Sequence, residues 1–271
     1  MIEGSHSKEV AELKIETIKN IEDPTLSIFK MQRDSVLRQR QEVLLDSAKV
    51  VERYIKAGHQ IKQLLAYEDY FQEKSELLES LYDCQFFVAS PEVLKELVGH
   101  SVHSGVIALG SRPKDLPLED LGPKIVLLNG VNNSENIGAI TRNALAFGAK
   151  SILACPRACS PFVRRAIRVS MGSIFKCKVH HSKDICSSIK QLKSMGYSIF
   201  GASLDKSSAE IKSVQFPEKS VLVIGEEGHG IEEKVHLELD QSTYIQMEEG
   251  IDSLNAAVAS GIFLHQMSSR T

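Results

Sequence analysis

The stretch "KIVLLNGVNNSENIGAITRNALAFGAKSILAC", residues 124–155, decides how the second half of the chain folds. It opens on a continuous apolar run, breaks at Asn129 and Gly130, and turns apolar again from Ser151. A run without polar alternation fits a strand buried on both faces of a parallel sheet. Between the two runs, Ile137, Ile140, Thr141, Ala144, Leu145 and Gly148 recur at helical spacing and form one buried stripe. Strand, helix, strand is the crossover that parallel pairing needs. Arg142 lies off that stripe, so packing gives it no task.

Downstream, "IFKCKV", "YSIFGAS", "SVLVIG" and "TYIQM" continue the apolar runs, with helical patterns between most of them. Residues 124–271 therefore read as a doubly wound α/β domain. Just upstream, "SRPKDLPLEDLGP" (111–123) sets three prolines among charged residues and reads as a linker. Over 23–110, "EVLLDS", "IKQLLAY", "CQFFVAS" and "GVIALG" alternate with helix-like stretches, which suggests a small α/β domain with a sandwiched sheet. Residues 1–22 read as an amphipathic helical extension without an evident partner.

The bulk properties narrow the class. The chain of 271 residues is 42% apolar and 25% charged, the balance of a soluble globular protein. No window approaches the roughly 20 apolar residues of a membrane span, and the N-terminus lacks the basic flank and apolar core of a secretory signal. Five cysteines at no disulfide spacing suggest a reducing cytoplasm. A net charge of -3 argues against a uniformly basic coat, yet phosphate contacts need only a local patch. Two such patches exist: Arg33, Arg38 and Arg40, and the run from Arg157 through Arg164, Arg165 and Arg168 to Lys176 and Lys178.

Three strand ends carry polar, glycine-rich loops: "NGVNNSENIGAITRN", "GEEGHGIEE" and "MEEGIDSLNAAVASGIFLHQ". Ligands collect at the carboxyl ends of strands in open α/β sheets, so these loops suggest one shared site. "GEEGHG" has the wrong glycine order and place for a dinucleotide fingerprint, and no G-K-[ST] phosphate loop occurs. Cys177, His180, His181 and Cys186 lack a second ligand pair at zinc-site spacing, so no metal is expected. Cys155 reads as a small buried thiol. Ser253 is expected to open the last helix, whose small residues "LNAAVASG" suit close backbone packing.

Together, in this order, "NNSENIGAITRNALAFGA", "VLVIGEEGHGI" and "IQMEEGIDSLNAAVASGIFL" resemble the three motifs of the SpoU (TrmH-like) RNA ribose 2'-O-methyltransferases of the SPOUT superfamily. The resemblance covers 124–271. Residues 23–110 are similar, less specifically, to the α/β/α RNA-binding domain of many members, with Asp46 and Ser47 in place of the usual acidic-glycine pair. The resemblance implies a deep C-terminal trefoil knot, S-adenosylmethionine as co-substrate, a homodimer formed through the C-terminal domain, and ribosomal or transfer RNA as partner. By position it assigns cofactor contacts to Gly225, Gly230, Ile245, Met247 and Leu254. Asn136, Arg142, Glu227, Ser253 and Asn255 fall at the catalytic positions, and Arg164, Arg165 and Arg168 at RNA-backbone positions. Glycines at 225, 228 and 230 would let backbone approach a ligand closely. Because guanidinium stays protonated, Arg142 is expected to clamp phosphate or a nascent alkoxide electrostatically rather than act as a base.

The chain departs from the family pattern at Gln246, where proline is usual, and at Glu249, where glycine is common. The expected activity is methyl transfer to a ribose 2'-hydroxyl of structured RNA, ribosomal RNA slightly favoured. The alternatives are a non-catalytic RNA-binding protein that keeps the fold and, less suited to the basic stretches, a small-molecule methyltransferase.

Overall fold

The computed structural model describes residues 14–30, 34–98 and 105–268. The chain divides into two compact units, Met1–Ser111 and Arg112–Thr271. Among the described residues, no helix is long and apolar enough to cross a membrane.

The first unit holds strands β1 (Ile15–Thr17), β2 (Glu42–Leu45), β3 (Ile61–Ala66), β4 (Gln85–Val88) and β5 (Val106–Ser111). Helices α1 (Asp34–Arg40), α2 (Ala48–Lys56), α3 (Glu68–Glu73), α4 (Ser75–Leu78) and α5 (Pro91–Val98) lie between them. The sheet runs β1-β4-β3-β5-β2, parallel between β1, β4 and β3 and antiparallel where β5 meets β3 and β2. Ser47 starts α2 by accepting a hydrogen bond from the Val50 amide at 3.3 Å. Tyr54 is fully buried, and its hydroxyl donates toward the carbonyls of Ser111 (2.6 Å) and Gln60 (3.0 Å). Gly110 makes room for that ring, since a Cβ there would lie 2.5 Å from the hydroxyl.

The N-terminal helix expected over 1–22 is not what the described part forms. Residues 15–17 are a strand that adds to the open edge of β4, pairing Ile15 with Phe86. An unpaired edge offers backbone partners that outweigh a weak helical pattern. Residues 1–13, and Arg33 of the first basic patch, lie outside the described residues.

The second unit is built on β6 (Lys124–Asn129), β7 (Ser151–Ala154), β8 (Lys178–His181), β9 (Ser198–Ser203), β10 (Ala209–Glu210), β11 (Ser220–Gly225) and β12 (Gln241–Tyr244). Its helices are α6 (Ser134–Ala146), α7 (Arg164–Val169), α8 (Ile185–Ser194), α9 (Glu233–His236) and α10 (Ala256–Ser268). The order is β10-β12-β9-β11-β6-β7-β8, and each of these pairings is parallel. Ile125, Leu127, Leu153, Ile199, Val221 and Val223 share a core with Ile185, Ile189 and Leu192 of α8 and Val235 of α9. The alternate residues Val126, Leu128, Ile152 and Leu222 are equally buried on the other face. Burial on both faces is why these strands lack polar alternation.

Three details differ from the sequence reading. The proline-rich stretch read as a linker packs on the second unit over 112–123, with Leu118 and Leu121 buried in that unit's core. Arg112 pairs with Asp115 at 2.9 Å and sits over the Phe162 ring at 4.9 Å. In "IFKCKV", Ser173–Lys176 forms a 3-10 turn and the strand begins only at Lys178, after Met171 and Gly172 turn the chain through positive φ. Helix α6 ends at Ala146, so Ile137, Ile140, Thr141 and Ala144 are buried as expected while Gly148 lies beyond it and exposed.

Candidate active site

The site gathers at the carboxyl ends of β6, β11 and β12, with the start of α10. Asn133 caps α6, its side-chain oxygen accepting from the amides of Glu135 (2.8 Å) and Asn136 (3.3 Å). That cap fixes Asn136 one turn into the helix, where it is buried. Gly138 is required by packing: a Cβ there would stand 2.7 Å from the Ala166 carbonyl of α7. Asn143, further along α6, donates to the Ala257 carbonyl at 2.8 Å and to the Ser260 hydroxyl at 3.2 Å. The small residues of the third motif thus let α10 lie close against α6.

Asn255, not Ser253, starts α10. Its side-chain oxygen accepts from the amides of Ala257 (2.9 Å) and Val258 (3.3 Å), and Ser253 lies exposed ahead of the helix. Asn255 Nδ2 donates to Asn136 Oδ1 at 2.9 Å, and Asn136 Nδ2 in turn donates to the Glu227 carboxylate. One hydrogen-bonded chain, Asn255–Asn136–Glu227, therefore joins the three loops.

Glu227 sits on a hairpin in which Glu226 and Gly230 exchange both backbone hydrogen bonds, at 3.0 and 2.8 Å. The reasons for its glycines differ from the sequence reading, which assigned them all to a ligand. A Cβ on Gly225 would meet Gly230 C at 2.3 Å and Ile231 N at 2.5 Å, so the close approach is to the chain's own backbone. Gly230 has φ +68, and Gly228 faces open space with neither demand.

Beside this hairpin lies a cavity of about 520 Å³. The expected contacts Gly225, Gly230, Ile245, Met247 and Leu254 all line it, as do Glu227, Ser253 and Asn255. Its apolar wall adds Ile224, Ile231 and Phe263. The end of β9 and the residues just after it, Ala202 to Asp205, also line it, as does His236. Sequence reasoning missed that side because only the strand order places β9 between β11 and β12. Hydrogen bonds from the Ser207 hydroxyl and amide hold the Asp205 carboxyl below the ordinary carboxylate range, helped by nearby His236.

Arg142 is not brought to this cavity. It projects exposed from α6 and has no hydrogen-bond or ion-pair partner among the described residues. Of the α7 arginines, Arg165 pairs with Glu135 of α6, its Nε 2.9 Å away, while Arg164 and Arg168 are half-buried. The residues weighed as metal ligands have other partners: His180 Nδ1 donates to the Leu116 carbonyl at 2.8 Å, and His181 Nδ1 lies 2.9 Å from Asp115. Among the described residues no group of three or more His, Cys, Asp or Glu could hold a metal ion. Cys155 is buried, its sulfur accepting from the Gly130 amide at 3.2 Å.

Residues 123–265, just over half of the chain, match the SpoU rRNA Methylase family. The chain belongs to that family. It is 33% identical over 147 residues to an uncharacterized tRNA/rRNA methyltransferase of Archaeoglobus fulgidus, a match spanning 54% of this chain and 65% of that protein. It is 26% identical over 187 residues to the 23S rRNA (guanosine-2'-O-)-methyltransferase RlmB of Acinetobacter baylyi, covering 66% of this chain and 75% of the relative. The fold superposes on the AdoMet-bound rRNA methyltransferase of Sinorhizobium meliloti with a TM-score of 0.83 at 20% identity, over 93% of this chain and 97% of that one.

Proposed function

We propose that the protein transfers a methyl group from S-adenosylmethionine to a ribose 2'-hydroxyl of structured RNA in the cytoplasm, ribosomal RNA being favoured over transfer RNA. The observation that carries this reading is the Asn255–Asn136–Glu227 chain, which ties three polar loops to the mouth of one largely apolar cavity. The choice of a ribose hydroxyl and of ribosomal RNA leans on the RlmB relative.

The cavity fits the co-substrate. Its volume lies within the range of small-molecule sites; Ile224, Leu254 and Phe263 offer apolar faces for a purine, while Asp205, Glu226 and Glu227 bring negative charge toward a sulfonium cation. When bound there, the co-substrate supplies an activated methyl group. The chain's own residues then align the acceptor. Asn136 and Asn255 hold each other and Glu227 in fixed orientation, and alignment of a hydroxyl for in-line displacement can supply much of the rate enhancement. Ser253 lines the same cavity and is exposed. Arg164, Arg165 and Arg168 would face the RNA backbone.

Arg142 enters through a second copy of the chain. An open groove between α6 and α10, lined by Ala139, Phe147, Gly261 and the exposed Val258 and Ile262, gives a homodimer an apolar face to bury. In such a dimer we assign Arg142, exposed on α6, to the second copy's cavity, where its fork could clamp phosphate or the forming alkoxide. The hydroxyl proton would pass to a substrate phosphate or to water. A threaded, knotted C-terminus belongs to the same reading; it is supported by α10 packing on α6 and β11 and by the Lys124 ammonium donating to the Met267 carbonyl at 2.5 Å.

The test is transfer of labelled methyl from S-adenosylmethionine to total RNA of a strain lacking the gene, followed by mapping of ribose methylation. Label at one ribosomal ribose, abolished by Asn136→Ala, is the expected result. Absence of label from every RNA would leave the RNA-binding alternative, with the exposed Gln246 in the cofactor loop as the first residue to revert to proline.

A further inference from the structure

We infer that Arg157 is a positioning residue for the methyl-transfer site: it holds the 226–230 hairpin, and with it Glu227, in working position. The inference rests on the function proposed above. Arg157 lies just beyond β7. One nitrogen of its guanidinium is 3.1 Å from Glu226 Oε2, and the other is 3.8 Å from Glu232 Oε1. A single planar side chain therefore grips both ends of the segment that forms one wall of the cavity.

Each carboxylate is held from a second side. Glu226 accepts from Asn132 Nδ2 at 3.4 Å and stands 3.5 Å from the His229 ring. Glu232 accepts from Asn129 Nδ2 at 3.0 Å, its own amide donates to Asn129 Oδ1 at 2.7 Å, and Lys234 lies 3.2 Å away. Asn129 is fully buried at the end of β6, so the anchor of this network is the sheet itself. Gly130 leaves space for the guanidinium, because a Cβ there would lie 3.3 Å from it.

The hairpin needs such a clasp. Its tip, residues 227–229, is exposed and tied back by one pair of backbone hydrogen bonds, yet it carries the carboxylate that accepts from Asn136. Arg157 neither lines the cavity nor touches Asn136, so it acts through Glu226. It also differs from an arginine aimed at RNA: two carboxylates already face it, whereas Arg142 meets none.

The experiment uses the full chain with Arg157→Gln, Arg157→Lys, Glu226→Gln and the Gln–Gln double variant. Amide hydrogen exchange at Glu226 and Gly230 is read without ligand, S-adenosylmethionine affinity by calorimetry, and KM and kcat by methyl transfer. Arg157→Gln should speed exchange at both amides and weaken S-adenosylmethionine about fivefold, the sum of two partly exposed ion pairs. The melting temperature should fall by no more than about 4 °C, the share of those two pairs in global stability, and the KM for RNA should not move. Arg157→Lys, which keeps charge but not the fork, should fall between wild type and Arg157→Gln. The double variant should exchange at both amides no faster than Arg157→Gln, since Glu226→Gln removes a contact that Arg157→Gln has already broken; its co-substrate affinity falls further, because the Glu226 charge at the cavity is lost as well. Unchanged exchange and affinity in Arg157→Gln would overturn the inference, and so would a loss confined to the KM for RNA, which would make Arg157 a phosphate contact. If the wild-type protein methylates no RNA, the proposed activity fails by itself; exchange and cofactor binding still judge Arg157.

Discussion

Replacing the glycines of the 225–230 hairpin one at a time separates two physical demands, and one position with neither, that look identical in sequence. At Gly225, an added Cβ would meet Gly230 C at 2.3 Å, Gly230 O at 2.5 Å and Ile231 N at 2.5 Å. All three are backbone atoms, so no side chain can swing aside. Relief requires β11 and the hairpin to part, which breaks the paired Glu226–Gly230 hydrogen bonds. Overpacking of this kind costs about 3 kcal/mol, the upper part of the usual range. For a unit of this size that corresponds to a fall in melting temperature of roughly 6–12 °C. Gly230→Ala meets nothing within 4 Å but must hold φ +68, and it should cost about 1 kcal/mol. Gly228→Ala has neither obstacle and should stay within about 0.5 kcal/mol of wild type. Urea unfolding of the three variants, followed by a probe in the second unit, reads the series. If Gly225→Ala proved no more costly than Gly228→Ala, the close backbone approach at the cavity wall would be wrong.

Four further outcomes are expected. Arg142→Ala should leave stability unchanged, because the side chain has no intramolecular partner among the described residues, while methyl transfer falls about a hundredfold, as for loss of a transition-state charge donor; Arg142→Lys at near-normal turnover would remove the need for a bidentate fork. Wild type should sediment as a dimer and the double variant Val258→Lys, Ile262→Lys as a monomer; a monomeric wild type would refute the proposed α6–α10 interface. Asp115 is desolvated, which by itself would raise its carboxyl, yet His181 and Arg112 together hold it below the ordinary value. Such a lowered acid contributes stability above its unfolded pKa of about 3.9 and loses it as pH falls through the folded value, so Asp115→Asn should flatten the acid limb of a stability–pH curve below about pH 4. Burial pushes the thiols of Cys84 and Cys177 up to about 12, so both should resist iodoacetamide at pH 8 in the folded protein and react once it is unfolded; rapid labelling of the native chain would contradict that burial.

Much of the second unit was legible in residues alone, because burial on both faces of a parallel strand removes polar residues from a contiguous run. "KIVLL", "SILA" and "SVLVI" therefore announced β6, β7 and β11, and polar loops after β6, β11 and β12 announced the site. That Gly225, Ile245, Met247 and Leu254 share one cavity was likewise legible through their motifs. The N-terminal strand was not, since Ile15–Thr17 becomes a strand only because β4 offers an open edge.

What the amino-acid order determined by itself was local: which runs are buried, which loops are polar, and which asparagines can cap a helix, since these depend on side-chain character and short-range spacing. What only the tertiary structure decided was adjacency. The strand order β12-β9-β11-β6 brings Ala202–Asp205 to the cavity, joins Asn136 to Asn255 across 119 positions, and sets Arg157 against Glu226 while leaving Arg142 outside. Contacts between residues so far apart in the chain are selected by how whole elements pack, and no local pattern encodes that choice.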